Sequence, residues 1–240
     1  MKRMKNKTLK YVAKSSEPFL LNKMKSEKAN GFFKKGTFSN ELIWGSYSYV
    51  SSHLTKTKQK KFHKGLYMFG MVRRDARVFI KNNPNFKLPK KNGQIEYNKE
   101  LNEALFGKIT ATDLNHAYWR IAYNLGIICP MTYEKGLSDD FKELRLAALS
   151  TMGATKTYQK IINGELTNQT HIIKGDETLQ NVYKLIRYTC YRYMTQVQKR
   201  LGKDFLCYKT DCIYYIDTRE NRKIVTDFFK EKDLLMKQLV

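Results

Sequence analysis

Apolar side chains return at three- and four-residue steps through Leu179, Val182, Ile186, Cys190, Tyr193, Val197 and Leu201, the spacing of one buried stripe on a long helix. Asp176 and Glu177 supply its start and Gly202 its stop. A second helix is expected over NHAYWRIAYNLG, closed by Gly126, and a third in FKELRLAALSTM behind Ser138-Asp139-Asp140. A last helix is expected over about residues 220–239, with Ile224, Val225, Phe228, Phe229, Leu234 and Leu235 packed. Upstream, Leu66-Tyr67-Met68-Phe69 reads as a short strand. Arg73, Arg74, Arg77 and Lys81 follow it on a helix that Asn82-Asn83-Pro84 ends.

Other segments alternate with a period of two. GKITATD, residues 107–113, is a strand on its β-branched positions. Two more flank Asn163-Gly164, a strong hairpin signal, and FLCYK and CIYYID pinch around Thr210-Asp211. Phe32, Phe33, Phe38, Leu42, Ile43, Trp44, Tyr47 and Tyr49 lack helical period and read as strand and loop, and Asn92-Gly93 marks a turn. Antiparallel strands interleaved with helices give an α+β chain.

Composition then sets the partner. The 240 residues carry 45 Lys and Arg against 22 Asp and Glu, a formal net charge of +23, with 42% hydrophobic residues, enough to build a core. Residues 1–110 hold 25 basic and 7 acidic side chains, and residues 111–240 hold 20 and 15, so the surplus is N-terminal. A polyanion such as DNA is the expected partner. Residues 1–30, with nine Lys and Arg and few apolar anchors, read as a basic flexible arm, and residues 31–104 as a basic, aromatic-rich region. Lys34, Lys35, Arg73, Arg74, Arg77, Lys156 and Lys209 are the candidate nucleic-acid contacts, with Arg120 beside them. No apolar run is long enough for a membrane span, the N-terminus has no apolar signal core, and no membrane partner is expected. Cys129, Cys190, Cys207 and Cys212 lack zinc spacing and read as reduced thiols of a cytoplasmic protein. Metal, if held, falls to carboxylates.

Two aspartates occupy distinctive places, Asp113 at a strand end leading into a helix and Asp211 at a hairpin tip. Either alone is a favoured cap or turn residue. Brought together, they can hold two divalent ions that activate an attacking oxygen and stabilise a leaving one in phosphoryl transfer.

In that setting the chain resembles the family B DNA polymerases, over roughly residues 105–235. Asp113-Leu114-Asn115-His116-Ala117-Tyr118-Trp119 is similar to motif A, D-x-x-S-L-Y-P, keeping the Asp and Tyr. Residues 145–153, RLAALSTMG, resemble motif B, K-x-x-x-N-S-x-Y-G: Arg145 keeps the charge, Ser150 and Gly153 match, and Leu149 and Met152 replace Asn and Tyr. Residues 207–212, CYKTDC, resemble motif C, Y-x-D-T-D-S, with Asp211 as its second Asp and Lys209 in place of the first. The hairpin at Asn163-Gly164 and the long helix before motif C resemble the compact protein-primed phage branch. An exonuclease motif and a Y-x-G-G element are not recognisable, and the 29 residues after Asp211 are fewer than that family's thumb needs.

The resemblance implies a palm-like antiparallel sheet backed by helices over residues 105–240, with a short fingers-like insertion. It implies Mg²⁺ or Mn²⁺ on Asp113, Asp211 and the Leu114 carbonyl. A dNTP would be bound by Asn115, His116, Ala117, Tyr118, Arg145, Ser150 and Gly153, with Tyr118 under the sugar. The expected activity is that of a minimal DNA polymerase or nucleotidyltransferase acting on a primer-template or single strand. A non-catalytic, palm-derived nucleic-acid-binding protein of a replication complex or phage particle is the alternative, or one subunit of a split polymerase working with a replication-protein partner.

Overall fold

The structure, a computed structural model, describes residues 7–36, 39–52, 56–98 and 109–239. In chain order they form β1 (Thr8–Val12), α1 (Ser16–Ser26), β2 (Gly31–Lys34), β3 (Ser39–Trp44), β4 (Tyr47–Ser52), α2 (Lys56–Asn82), β5 (Ile95–Tyr97), β6 (Ile109–Asn115), α3 (Ala117–Asn124) and α4 (Pro130–Leu137). There follow α5 (Lys142–Ser150), β7 (Lys156–Ile162), β8 (Glu165–Ile173), α6 (Glu177–Leu201), β9 (Phe205–Lys209), β10 (Cys212–Ile216), α7 (Arg219–Glu231) and β11 (Leu235–Leu239). The fold is α+β, with largely antiparallel sheets backed by helices. It divides into two compact units, one of residues up to Lys64 with Gly153–Asp176, the other of Gly65–Met152 with the chain from Glu177 onward. The boundaries expected at residues 30 and 104 do not coincide with this division.

The first unit is a six-stranded sheet ordered β1-β4-β3-β2-β7-β8, antiparallel except where β1 runs parallel to β4. The described part of the expected arm, residues 7–30, is thus not an arm. Its β1 closes the sheet edge, and α1 buries Met24 in a small core with Phe33, Leu42 and Ile161. Few apolar anchors were enough, because one methionine and the flanking Leu20 and Leu21 seat the helix. The β7–β8 hairpin turns at Asn163 and Gly164, both at positive φ, as its sequence demanded. A Cβ on Gly164 would lie 2.2 Å from the Lys25 backbone, so the tip can dock against the end of α1 only as glycine.

The second unit carries a fully antiparallel sheet ordered β11-β6-β10-β9-β5. Leu114, Tyr208, Ile213 and Tyr215 point from one face into a core shared with α2, α3, α6 and α7. The opposite face carries a row of cross-strand neighbours, Lys237, Asp113, Cys212, Lys209 and Ile95. The long helix α6 buries its expected stripe, Tyr193 only in part, and stops before Gly202 at φ +56. Two expectations fail here. Residues 66–69 are helical, inside α2, because Met68, Val72, Ala76 and Phe79 form a stripe at helical spacing that a four-residue window cannot show. The final helix ends at Glu231, where Asp233, at φ +52, is clasped by Arg120 and the chain returns as β11 against β6.

Candidate active site

The strand β6 delivers Asp113 and the two-residue turn between β9 and β10 delivers Asp211. Antiparallel pairing sets Asp113 opposite Cys212, and the amide of Leu114 donates to the carbonyl of Asp211 at 3.0 Å, tying the two aspartate segments together. The turn is held from three sides. Thr210 sits at φ +61, an unfavourable conformation for a β-branched residue, and its amide donates to Gln94 O at 2.8 Å while its carbonyl accepts from Cys190 Sγ of α6 at 3.8 Å. Gln94 Nε2 also donates to the Thr210 hydroxyl at 3.2 Å. Strain kept by this many anchors aims Asp211 in one direction.

Neither carboxylate is satisfied. Among the described residues no side chain hydrogen-bonds to or ion-pairs with Asp113 or Asp211; Asp211 has only its own amide. Burial pushes the Asp211 carboxyl up to about 6, and the charge of Asp113 adds to that. Burial likewise raises Asp113, against the opposing pull of Lys237 across the sheet. Such a pair is stabilised by a cation between its members.

Beside Asp211 opens a cleft of about 250 Å³ lined by His116, Ala117 and Tyr118 from the start of α3, Arg145 and Leu149 from α5, and Thr210. His116 turns the chain from β6 into α3 in the left-handed conformation, φ +58, leaving the first amides of α3 at the cleft. Arg145 is 6% exposed. Its Nη1 donates to Gly136 O at 2.9 Å and its Nη2 contacts His116 Nδ1, and no carboxylate among the described residues pairs with it. Burial pulls its pKa down, yet a guanidinium stays charged. Gly136 makes room for the neighbouring Trp119 ring, which a Cβ there would approach to 2.2 Å.

Tyr118 reaches the cleft with its phenol donating to Tyr191 Oη at 3.2 Å, and Arg187 Nη2 donates to the same oxygen at 3.2 Å. Burial, with that bond, raises the Tyr118 phenol well above its ordinary pKa, so it stays protonated. Tyr191 and Arg187 were missed in the sequence. Their signal was Tyr183, Arg187 and Tyr191 at four-residue steps along α6, one face of one helix.

The remaining expected site residues scatter. Asn115 ends β6 beside His116, and Leu114 is buried with its amide committed to Asp211. Ser150 is exposed and its hydroxyl bonds back to Ala147 O at 3.2 Å, which removes it from the cleft; Gly153, at φ +67, belongs to the first unit. Leu149 and Met152, where motif B has Asn and Tyr, are buried core. Lys34 ends β2 in the first unit and Lys35 follows it, and Lys156 there pairs with Glu41 at 3.1 Å. Of the aromatic residues in the N-terminal region, Phe33 is core and Phe32 lies 4.6 Å from the His171 ring; Phe38 lies outside the described residues. Arg120 is committed to Asp233 at 2.6 Å and to Tyr133 Oη at 2.8 Å. Lys209 is exposed on the open sheet face, and Arg73, Arg74 and Arg77 lie together on α2. The four cysteines are free, and no group of three or more His, Cys, Asp and Glu that could hold a metal is found among the described residues. No described helix is long and apolar enough to cross a membrane.

In comparisons with known proteins, no family model, no curated protein and no solved structure matches this chain.

Proposed function

We propose that the second unit is a minimal nucleotidyltransferase of DNA polymerase type, working at the Asp113–Asp211 cleft on a DNA strand and a dNTP. The observation that carries this is a pair of half-buried carboxylates with no side-chain donors, set beside a cleft whose wall holds a buried, carboxylate-free Arg145. A carboxylate pair without side-chain donors, beside a guanidinium without a carboxylate partner, fits a ligand that is itself a cation-bound polyphosphate. Asp113, Asp211 and the Leu114 carbonyl are the donors for Mg²⁺ or Mn²⁺, and two carboxylates suffice where substrate phosphates complete the shell. Bound there, the metals supply charge neutralisation and an activated attacking oxygen. The chain's own residues do the positioning. Arg145 and the first amides of α3 hold phosphate oxygens, Leu114 N–H fixes the spacing of the two aspartates, and Tyr118 presents its ring to the sugar.

The second reading, a palm-derived binding protein without catalysis, draws on Ser150 turned into its own helix and on Lys209 in the place of a motif C acid. It leaves the donor-free aspartates unexplained. Primer extension with labelled dNTPs and Mg²⁺ or Mn²⁺ separates the two. The expected result is metal-dependent incorporation that falls at least about 10³-fold in Asp113→Asn and in Asp211→Asn. No incorporation by the wild type, with DNA binding equal in all three proteins, would overturn the catalytic reading.

A further inference from the structure

On α2 the side chains opposite the buried stripe are Gly70, Arg74, Arg77, Val78 and Lys81, with Phe69 and Arg73 at the margin. They enclose a shallow hollow of about 550 Å³. Its chemistry is lopsided. Asp75 is the one acid on this stretch of helix, and it is spent elsewhere, accepting from Cys129 N at 3.1 Å and Thr132 Oγ1 at 2.5 Å to cap α4, with Arg74 at 2.9 Å. Among the described residues Arg73, Arg77 and Lys81 have no carboxylate partner, and Arg73 Nε is buried without a hydrogen-bond acceptor. Repeated cations with no matching acids, in a protein of net charge +23, call for a polyanion.

Spacing and surface narrow that polyanion. Arg73, Arg77 and Lys81 follow one another at four-residue steps, about 6 Å apart along the helix axis, comparable to successive phosphates on one nucleic-acid strand. Between the cations the floor is apolar: the Phe69 ring lies under the Arg73 guanidinium at 5.0 Å, Val78 is 54% exposed, and the space above Gly70 is open. Duplex DNA keeps its bases inside and would leave this floor unused. A single strand can lay bases on it while its phosphates meet the cations.

We propose that the α2 hollow is a binding track for single-stranded nucleic acid, separate from the aspartate cleft and requiring neither of its carboxylates. The strand's phosphates pair with Arg73, Arg77 and Lys81, and its bases rest on Phe69, Gly70 and Val78. Arg74 is a helper whose first duty is to Asp75.

The test uses the full chain in EDTA, with a fluorescent oligo-dT strand and a duplex of equal length, comparing the wild type with the triple variant Arg73→Gln/Arg77→Gln/Lys81→Gln. Leaving Arg74 in place keeps the α4 cap, and a melting curve confirms folding. The triple variant is expected to bind oligo-dT at least tenfold more weakly, and its slope of log affinity against log salt should fall by about 2, the share of three phosphate contacts on a single strand. Duplex binding should change less. Unchanged affinity and slope would overturn the track, and so would equal losses on strand and duplex. Loss confined to phosphatidylserine vesicles, with oligo-dT binding intact, would overturn it in favour of a membrane surface.

Discussion

Glu41 in the first unit and Asp211 in the second are acids of similar burial treated in opposite ways, and the less buried Asp113 goes with Asp211. Burial works to raise Glu41, but Lys156 at 3.1 Å, Tyr158 Oη at 2.8 Å and Ser48 Oγ at 2.9 Å outweigh it and hold the carboxyl below its ordinary range. Asp75 is treated as Glu41 is: burial is overcome by Thr132, Cys129 and Arg74. Around Asp113 and Asp211 no such donors stand, and both acids are pushed up. This chain therefore satisfies the acids that hold the fold together and withholds donors from two that meet where β6 lies beside the β9–β10 turn. A structural acid gains by its charge in the native state, and a ligand site is left with a cost that only its ligand removes.

Neutralising each class should move stability in opposite directions. The largest effect is expected from Glu41→Gln, which leaves Lys156 without its partner and breaks a half-buried network; a loss of about 1–3 kcal/mol is expected in a denaturant melt. Because the folded pKa of Glu41 lies below its ordinary 4.5, its stabilisation is present above that pH and fades as pH falls through the folded value. Acid melts of Glu41→Gln should accordingly converge on the wild type as pH falls from 4.5 through that lowered value.

Asp211→Asn should do the reverse. With the folded pKa raised to about 6 from 3.8, the charged form costs stability at neutral pH, and the native state regains it as pH falls through 6. Without metal at pH 7.5 the variant should be about 1 kcal/mol more stable than the wild type, allowing for solvent screening of a partly exposed group. The gap should close by pH 4. A destabilised variant at pH 7.5 would show that Asp211 has a structural partner after all.

Tyr191→Phe should have the smallest effect on the fold, under about 1 kcal/mol, because one hydroxyl is removed and Arg187 keeps its place over the Tyr183 ring. Its consequence belongs to the cleft. Freed from Tyr191, Tyr118 loses its fixed pose, and the preference for deoxy- over ribonucleotides should fall several-fold with little change in overall rate. Equal selectivity in both proteins would detach the α6 relay from nucleotide choice.

Much of this layout was legible in the chain. Stripes such as that of α6 and turn signals such as Asn163-Gly164 carry their meaning within a few residues; Asp211 was placed in its hairpin turn, and Asp113 in its strand, which runs two residues further than expected. The parts that were not legible depend on distant partners. The helix α4 begins with no cap of its own and is capped by Asp75, 54 residues earlier. The strand β11 follows a turn at Asp233, which is clasped by Arg120, 113 residues away, and pairs with the distant β6. Satisfaction of charge was equally hidden: nothing in the local sequence tells that Lys156 is spent on Glu41 or that Asp113 meets no donor.

The central claim is that Asp113 and Asp211 form one cation site. A Mn²⁺ titration by isothermal calorimetry, on the wild type and on each Asn variant at pH 7.5 and pH 5, tests it most directly. Mn²⁺ is expected to bind the wild type at pH 7.5, to bind Asp113→Asn and Asp211→Asn at least tenfold more weakly, and to bind the wild type more weakly at pH 5 as Asp211 takes up a proton. Equal binding by all three proteins at both pH values would contradict it.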